Sequence, residues 1–266
     1  MNTHDFRFLL QGKQIKPLLP EQVSLLSPID IRGEGRKRAL LLLHGFSSSP
    51  AVFRVMVPEL TGMYDAVVCP VLPGHADSLD AFAKVTAQDW MSAAEAACSA
   101  LLQEYEAVDV LGFSLGGLLA CHLSQRFTLN RLFLLAPALL MQRSVPVTLF
   151  FARALHALGF RLLHNRGGNL HTNKHAELAY RQLPLTTIME ILTLINDYQF
   201  LPVTCKTEIF LGRFDAVVDS VGVGRRFARA PNVAIHWLEN SAHVLPLDGD
   251  IEAIVSRIND CKACIL

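Results

Sequence analysis

Short, mainly apolar runs alternate with longer amphipathic stretches along most of this chain. Six of the short runs resemble strands that are buried on both faces of a parallel sheet, and they cover residues 39–43, 66–70, 108–111, 131–136, 208–211 and 233–238. The longer stretches have helical spacing at residues 50–60, 89–105, 115–127, 220–230 and 248–259. This alternation predicts an α/β fold with a mostly parallel, doubly wound sheet that carries helices on both faces.

One long interval, from residue 138 to about residue 206, interrupts this alternation. It has no clear strand, but residues 147–164 and 185–198 have helical spacing around a glycine-rich turn at 166–169. Ligands of open α/β sheets bind beside the carboxyl ends of the strands, so a helical insertion here would form a wall of the ligand site. We predict a core domain of residues 1–137 and 207–266, and a helical cap of residues 138–206.

The first predicted helix of the cap is unusually apolar. Its large apolar residues are Val147, Leu149, Phe150, Phe151, Leu155, Leu158, Phe160 and Leu162. Two interpretations are open for this segment. Either the residues are buried against the sheet domain, as in helices that are apolar all round, or part of the face lines a pocket for an acyl chain. The first 38 residues contain a predicted antiparallel strand at 6–10 and receive no function.

Charge and hydropathy exclude several kinds of partner. Lys+Arg and Asp+Glu both number 24, and a net charge of zero gives no global electrostatic attraction to nucleic acid or to acidic membranes. Mean hydropathy is +0.32, which fits a fully covered sheet together with an apolar pocket. The most apolar long stretch, 145–163, is interrupted by Arg153, His156 and Arg161, so no integral membrane segment is predicted.

Cysteine usage bears on metal binding and on the compartment. Of six cysteines, Cys261 and Cys264 alone are closely spaced, and no second pair would complete a zinc site. We therefore predict no metal and no cofactor. The other cysteines fall singly in apolar segments, and the N-terminal residues do not resemble a secretory signal. These features predict a reducing compartment and a cytoplasmic protein.

The sharpest motif is Gly112-Phe113-Ser114-Leu115-Gly116-Gly117, which follows the predicted strand 108–111 and opens the predicted helix 115–127. A hydroxyl nucleophile at a strand end stands on a turn so tight that its own backbone is strained. Glycines at positions 112 and 116 avoid collisions across such a turn. The motif predicts Ser114 as a nucleophile and the N–H of Leu115 as an oxyanion donor. The alternative is a glycine-rich turn with an incidental serine.

A second oxyanion donor is predicted at the end of a neighbouring strand. His44-Gly45-Phe46 follows the apolar run 39–43, and a turn there would bring the main-chain N–H of Phe46 beside the nucleophile. Because the required donor is a main-chain group, we predict that His44 holds the turn and is not the catalytic base.

A serine hydroxyl needs a base that takes its proton. His243 lies on the loop between the run 233–238 and the last predicted helix, where such a base belongs. His236 lies inside that strand, and His75 lies on a turn where it would support the site. The histidines of the predicted cap, where surface or packing roles are expected, are His156, His164, His171 and His175. We predict His243 as the base.

The base in turn needs an acid that fixes its tautomer. Asp215 comes just after the run 208–211 and is predicted in this role. Asp219 is the nearest competitor, but its place before a predicted helix favours an N-cap. Asp109 lies within the strand that precedes the nucleophile and faces the wrong way. The order Ser114, Asp215, His243 is the order in which this type of fold carries its triad.

From residue 39 to about residue 257, the chain resembles the small carboxylesterase and monoacylglycerol-lipase branch of the α/β hydrolases. The resemblance is carried by His44-Gly45-Phe46, Pro73-Gly74-His75, the motif at 112–117, residues 212–215 and Ser241-Ala242-His243-Val244. Two positions depart from the family pattern. Ala76 replaces a glycine that is common after Pro-Gly-His, and Asp219 stands where a proline is frequent. Neither departure touches the predicted triad.

The resemblance implies a cofactor-independent serine hydrolase that cleaves small-molecule or lipid-like acyl esters through an acyl-enzyme. A thioesterase or a carbon–carbon bond hydrolase is a close alternative, because the same triad serves all three reactions. A non-catalytic ligand-binding protein on the hydrolase scaffold is an alternative from a different class. Labelling by a fluorophosphonate would separate that class from the enzymes.

Overall fold

The computed structural model describes residues 3–263 of the chain. In chain order, its strands are β1 (Phe6–Leu10), β2 (Lys13–Pro17), β3 (Ile29–Arg32), β4 (Arg38–Leu43), β5 (Ala66–Cys69), β6 (Ala107–Phe113), β7 (Arg131–Leu135), β8 (Leu162–His164), β9 (Glu177–Tyr180), β10 (Gln182–Pro184), β11 (Lys206–Gly212) and β12 (Val233–Leu238). The α-helices are α1 (Val57–Thr61), α2 (Leu79–Phe82), α3 (Ala87–Glu104), α4 (Leu115–Arg126), α5 (Val145–Ala157), α6 (Leu185–Asp197), α7 (Ser220–Phe227) and α8 (Ile251–Ala263).

A seven-stranded sheet in the order β12-β11-β7-β6-β4-β5-β3 forms the centre of the fold. Its neighbouring strands are parallel except at one edge, where β3 pairs antiparallel with β5. The six strands predicted from the hydrophobic pattern all belong to this sheet. The predicted fold class, α/β with a mostly parallel sheet, is confirmed.

The residues of β4 show how the sheet is covered on both faces. Leu41 and Leu43 pack in a core cluster with residues of α3 and α4, whereas Leu40 and Leu42 pack in a second cluster with residues of α1 and α8. All four leucines are fully buried. Because both faces of this strand are buried, its sequence is apolar without alternation.

The segment between β7 and β11, called the insertion below, is less helical than predicted. Helices α5 and α6 correspond to the two predicted helices, but the first ends at Ala157 and is followed by β8, β9 and β10. Strands of three or four residues show too little periodicity to be recognised in a sequence. Strand β9 pairs antiparallel with β1, which joins the N-terminal residues to the insertion. The division into a core and a cap at these residues stays a prediction.

Helix α5 agrees with neither interpretation of its apolar sequence over its whole length. Leu149 and Ala152 are buried, but Phe150 is 66% exposed and Phe151 is 60% exposed. These two phenylalanines neither pack against the sheet domain nor line the cavity described below. The expectation that their face is core or pocket wall is therefore wrong. The helical period places them on the face of α5 that points away from the protein.

Within residues 3–263, none of the helices combines the length and the apolarity that crossing a bilayer requires. Five free thiols lie in this part of the chain, at Cys69, Cys98, Cys121, Cys205 and Cys261. Cys264, the other member of the terminal cysteine pair, lies outside the described residues.

Candidate active site

Ser114 stands on a strained turn between β6 and α4. Its backbone has φ 53° and ψ −112°, a conformation that residues other than glycine rarely adopt. Neighbouring glycines make the turn possible. A Cβ on Gly112 would lie 2.2 Å from the carbonyl oxygen of Gly116, and a Cβ on Gly116 would lie 1.9 Å from that of Leu43. The sequence motif therefore forms the strand–turn–helix that it predicts.

The structure brings Ser114, His243 and Asp215 into one hydrogen-bonded row. The Nε2 atom of His243 lies 3.1 Å from the Oγ atom of Ser114, and its Nδ1 atom lies 2.9 Å from Oδ2 of Asp215. These residues come from three different strand ends, after β6, β11 and β12. The strands are parallel, so their carboxyl ends meet at one edge of the sheet, where Ser114 and His243, 129 positions apart, can touch.

The carboxylate of Asp215 is held in place by its own loop. Its Oδ1 atom accepts hydrogen bonds of 2.8 Å from the N–H groups of Val217 and Val218. Its side chain is fully buried, so the remaining oxygen is left for His243. A carboxylate fixed in this way keeps the imidazole in the tautomer that carries the proton on Nδ1 and leaves Nε2 as an acceptor.

The groups around His243 stabilise its imidazolium and so raise its pKa. Burial alone disfavours the imidazolium, but the charge of Asp215 and its hydrogen bond outweigh burial, and Glu177 adds to them. Together they raise the pKa of His243 above its ordinary value. A raised pKa makes the imidazole a better acceptor for the hydroxyl proton of Ser114.

The two competing aspartates have structural roles. Asp219 is the N-cap of α7, as predicted, and its side chain accepts a hydrogen bond of 2.9 Å from the N–H of Gly222. Asp109 is fully buried and pairs with Arg38, and it also accepts a hydrogen bond of 2.8 Å from the hydroxyl of Tyr64. Neither carboxylate contacts His243 among the described hydrogen bonds.

The competing histidines are also held in structural contacts. The Nε2 atom of His44 accepts a hydrogen bond of 3.1 Å from the N–H of Leu72, and burial lowers its pKa to about 4. Burial likewise places the pKa of His75 well below its ordinary value, with His44 adding to the effect. His236 lies 2.7 Å from a carboxylate oxygen of Glu208. The first two are therefore neutral supports of the turns around the site.

The two predicted oxyanion donors both lie beside Ser114. Leu115 is the first residue of α4, where main-chain N–H groups are not used within the helix. Phe46 follows Gly45, and a Cβ on Gly45 would lie 3.4 Å from the Cβ of Ser114. Phe46 and Leu115 line the same cavity as Ser114. Both N–H groups thus belong to segments that border the hydroxyl.

Ser114 and His243 border a cavity of about 440 Å³, which is within the usual size of small-molecule sites. Part of its lining is apolar and includes one face of α6, with Ile188, Ile191, Leu192 and Ile195 at helical spacing. Another part is polar and includes Arg143, Asn165, Arg166, Asn169 and Glu177. The cavity can therefore hold a molecule with an apolar and a polar end.

Sequence reasoning missed two residues of this site, Glu177 and Asn169. Glu177 is buried on β9, and its carboxylate accepts a hydrogen bond of 2.7 Å from the N–H of Gly168. Burial raises the pKa of Glu177 against the opposing effects of this hydrogen bond, of His243 and of Arg54. Its signal in the sequence is that it is the first acidic residue after Asp109.

Asn169 lies in the glycine-rich turn of the insertion that the sequence identified as a connection. Its carbonyl oxygen accepts hydrogen bonds from the N–H groups of His243 and Val244, and its Oδ1 atom accepts one of 2.9 Å from the N–H of Ala216. No sequence pattern that we recognise signals this role, because two of the three bonds involve main-chain groups alone.

A serine, an imidazole and a carboxylate in this order, beside two main-chain donors and a cavity, form a site of the kind found in serine hydrolases. A model of the alpha/beta hydrolase family matches residues 40–257 of the chain. The protein belongs to this family, and the resemblance inferred from its motifs is confirmed.

Individual relatives agree with this assignment. The thermostable monoacylglycerol lipase of Bacillus sp. (strain H-257) is 25% identical over 251 residues, which cover 90% of this chain and 96% of the relative. A structure from a study of LipS and LipT, two metagenome-derived lipolytic enzymes, has a TM-score of 0.79 and 25% identity, and covers 96% of this chain and 99% of that one. The monoacylglycerol lipase of Paleococcus ferrophilus shares the fold, with a TM-score of 0.70 at 14% identity over 89% of this chain and 98% of its own.

Proposed function

We propose that this protein is a carboxylic ester hydrolase that acts through an acyl-enzyme. Ser114 is the nucleophile, His243 the general base and Asp215 the acid that orients it. The observation that carries this proposal is the row of hydrogen bonds from the Ser114 hydroxyl through the His243 imidazole to the Asp215 carboxylate, at the wall of a partly apolar cavity.

In the proposed mechanism, the Oγ atom of Ser114 attacks the ester carbonyl carbon while Nε2 of His243 takes its proton. The main-chain N–H groups of Phe46 and Leu115 stabilise the oxyanion that develops. The imidazolium then gives its proton to the alcohol oxygen, which leaves. Water, deprotonated by the same imidazole, attacks the acyl carbonyl carbon. The bond from this carbon to Oγ of Ser114 breaks, the imidazolium returns the proton to Oγ, and the carboxylic acid is released.

We propose that the substrate is a monoester of an aliphatic acid with a small hydroxylated alcohol. The apolar face of α6 offers a surface for the acyl chain. The buried carboxylate of Glu177 lines the same cavity and can accept a hydrogen bond from an alcohol hydroxyl. The name of the Bacillus relative, monoacylglycerol lipase, supports the same substrate class.

We propose further that residues 138–206 act as the cap of this site. Residues of α5, α6 and the turn at 166–169 line the cavity that contains Ser114. A cap built in this way selects the substrate, because it supplies the apolar wall as well as Glu177.

The proposal is tested by active-site labelling and by a substrate panel. A fluorophosphonate should label the protein covalently at Ser114, as mass spectrometry of the labelled peptide would show. Monoacylglycerols of graded chain length should be hydrolysed with higher kcat/KM than the matching acyl thioesters. Labelling at another residue, or none, would overturn the assignment of the nucleophile, and a preference for thioesters would overturn the substrate class.

Glu177 provides a second test that separates the two ends of the substrate. Glu177→Gln should reduce kcat/KM for a monoacylglycerol more than for the ethyl ester of the same acid, because the ethyl ester lacks the hydroxyls. Glutamine retains an acceptor for the N–H of Gly168, so the fold should be unaffected. An equal loss for both esters would assign Glu177 to the fold rather than to the alcohol.

A further inference from the structure

Two arginines of the insertion, Arg143 and Arg166, line the cavity that contains Ser114. Both are exposed to solvent. Neither side chain takes part in a hydrogen bond or an ion pair with another residue of the described chain. A guanidinium is always charged and presents several N–H donors, so in a ligand site it is suited to binding an anion. We call these two residues the cavity arginines.

Other polar side chains of this cavity already have partners within the protein. The amide of Asn165 donates a hydrogen bond of 2.7 Å to a main-chain carbonyl and accepts one of 2.8 Å from a main-chain N–H. The side chain of Asn169 accepts one of 2.9 Å, and the hydroxyl of Thr148 donates one of 2.9 Å to a main-chain carbonyl. The cavity arginines, in contrast, keep their hydrogen-bonding capacity for a ligand.

The cavity arginines border the same part of the cavity. The residue before Arg143 donates its main-chain N–H to the carbonyl oxygen of Val217 at 2.9 Å. The glycine-rich turn that carries Arg166 accepts the N–H of Ala216 at the side chain of Asn169, also at 2.9 Å. Both segments are thus held against two neighbouring residues of one loop, and Val217 of that loop lines the cavity. Long side chains at both positions can therefore reach one ligand group beside this loop.

The charge at this wall of the cavity is positive. Glu177 is the one carboxylate among the described residues that line the cavity. It is buried, it accepts the N–H of Gly168, and the charge of Arg54 lowers its pKa against the effect of burial. No Asp or Glu occurs between Asp109 and Glu177, so the segments that carry the cavity arginines supply no counter-charge. The two guanidinium charges are therefore left for a ligand.

Arg166 also borders a second cavity, of about 370 Å³. The two cavities share Arg166, Asn169 and Val217, so they meet at the glycine-rich turn of the insertion. The described lining of the second cavity, to which Gln11 and Gly12 contribute from the turn between β1 and β2, contains no carboxylate. Space beside Arg166 therefore continues beyond the cavity of the nucleophile, and a bulky charged group can lie there.

We propose that the alcohol part of the substrate carries an anionic group, a phosphate or a carboxylate, and that Arg143 and Arg166 bind this group. The inference rests on the proposed function, because it concerns the alcohol of the ester that Ser114 attacks. A guanidinium forms two parallel, charge-assisted hydrogen bonds with either anion. The apolar face of α6 remains available for the acyl chain, and Glu177 remains available for an uncharged hydroxyl of the same alcohol.

The test compares octanoate esters of glycerol, glycerol 3-phosphate and glyceric acid, each in free solution. The better of the two anionic esters should exceed the glycerol ester in kcat/KM by about tenfold or more, as one charge-assisted contact predicts, and it identifies the anion as phosphate or carboxylate. Added NaCl should reduce this advantage, because salt screens the attraction. Equal values for the three esters, or a preference for the glycerol ester, would overturn the proposal and leave the ester hydrolase in place.

A second pair of esters tests the end of the substrate that carries the anion. Ethyl octanoate should be hydrolysed at least as well as ethyl hydrogen suberate, which bears a carboxylate at the far end of its acyl chain. A preference for the suberate would place the anion on the acyl part, and the assignment to the alcohol would be wrong.

Matched variants identify the residues. Arg143→Gln with Arg166→Gln should lower the ratio of kcat/KM between the better anionic ester and the glycerol ester by about tenfold or more. Arg153→Gln with Arg229→Gln removes the same charge at exposed positions that line neither cavity, and should keep the wild-type ratio. Equal losses in the two double variants would show that the overall charge of the protein acts on the substrate, and would overturn the assignment to the cavity arginines.

Calorimetry with ethers, which cannot be hydrolysed, separates this inference from the proposed function. 1-O-Octylglycerol 3-phosphate should bind the wild-type protein more tightly than 1-O-octylglycerol, and Arg143→Gln with Arg166→Gln should remove the difference. If no ester is hydrolysed, the proposed function fails, and the difference between the ethers still decides the anion site. If the esters are hydrolysed but the two ethers bind equally, the anion site is wrong and the proposed function stands.

Discussion

The main-chain N–H of His243 donates a hydrogen bond of 3.0 Å to the carbonyl oxygen of Asn169. The side chain of the same asparagine accepts a bond from the N–H of Ala216, directly after Asp215. Asn169 of the insertion thus connects the loop that carries His243 with the loop that carries Asp215. The geometry between Asp215 and His243 therefore depends on a turn that belongs to neither loop.

Asn169→Ala should lower kcat without a matching change in KM. The variant loses the acceptor for Ala216 but keeps the main-chain bond to His243. Since one hydrogen bond contributes about 0.5–1.5 kcal/mol, the expected loss is at most about tenfold. Asn173→Ala, an exposed asparagine nearby, is the control and should behave as wild type. A rise in KM alone would show that Asn169 acts on substrate binding instead.

Ser114→Ala should abolish ester hydrolysis and leave the fold intact. The hydroxyl is the proposed nucleophile, and its loss should reduce kcat by at least about a thousandfold. Thermal unfolding should show a Tm within a few degrees of wild type, because alanine fits wherever serine does. Ser144→Ala, at the exposed start of α5, is the matched control. Substantial turnover by a folded Ser114→Ala variant would remove this residue from the mechanism.

Variants of Asp215 and Asp219 should separate the proposed catalytic carboxylate from a helix cap. Asp215→Asn should reduce kcat by about 10³–10⁴-fold, because an amide at this position permits the wrong imidazole tautomer. Asp219→Asn removes a charge four residues from Asp215 in the sequence. Asparagine is also a good N-cap, so this variant should change kcat by less than about twofold. Steady-state kinetics of both variants would decide, and the reverse ranking would contradict the assignment.

The pH dependence of kcat/KM should follow His243. The base must be neutral to accept a proton, so activity should be lost as pH falls through the pKa of His243. Because Asp215 raises that pKa, the midpoint should lie above the ordinary value of about 6.5. Glu177→Gln removes a second negative charge and should move the midpoint to lower pH. A profile without an acidic limb between pH 5 and 8 would argue against a histidine base.

The sequence predicted the central sheet and the three triad candidates because each depends on local chemistry. Strands buried on both faces must be apolar, so the run 39–43 identifies a central strand even without its neighbours. The strained turn at Ser114 requires glycine at 112 and 116, where any side chain would collide with backbone. Such requirements fix the residue type at particular positions, so they can be recognised in the sequence. The order Ser114, Asp215, His243 along the chain then identifies these residues as one set.

The insertion could not be predicted to the same depth, because its structure depends on contacts between distant segments. Glu177 is buried because β9 pairs with β1, which lies some 170 positions away in the sequence. No local pattern around Glu177 predicts this burial. The apolar sequence of α5 was misinterpreted for a related reason. Hydrophobicity shows that Phe150 needs an apolar environment, but it does not show whether the protein itself provides one.

The acyl-chain wall of the cavity should be α6 and not α5. Ile188, Ile191, Leu192 and Ile195 line the cavity at helical spacing, whereas Phe150 points to solvent. Each methylene of the substrate that is buried against this wall contributes about 0.8 kcal/mol, or roughly a fourfold rise in kcat/KM. For soluble esters of increasing length, kcat/KM should rise by up to this factor per methylene until the cavity is full.

Leu192→Phe should reduce the space beside Ser114 and shift the preferred acyl chain to a shorter length. Ile191→Ala should enlarge the cavity and weaken the discrimination between butyrate and octanoate esters, since part of the apolar contact is lost. Phe150→Ala is the control on the other helix, and with soluble esters it should keep the wild-type length preference. Thermal unfolding of each variant distinguishes a change in the cavity from a loss of fold, because overpacking costs about 1–3 kcal/mol. If the length optimum moves with Phe150 and not with Leu192 or Ile191, the acyl chain lies along α5, and the wall that we assign to α6 serves only to pack the insertion.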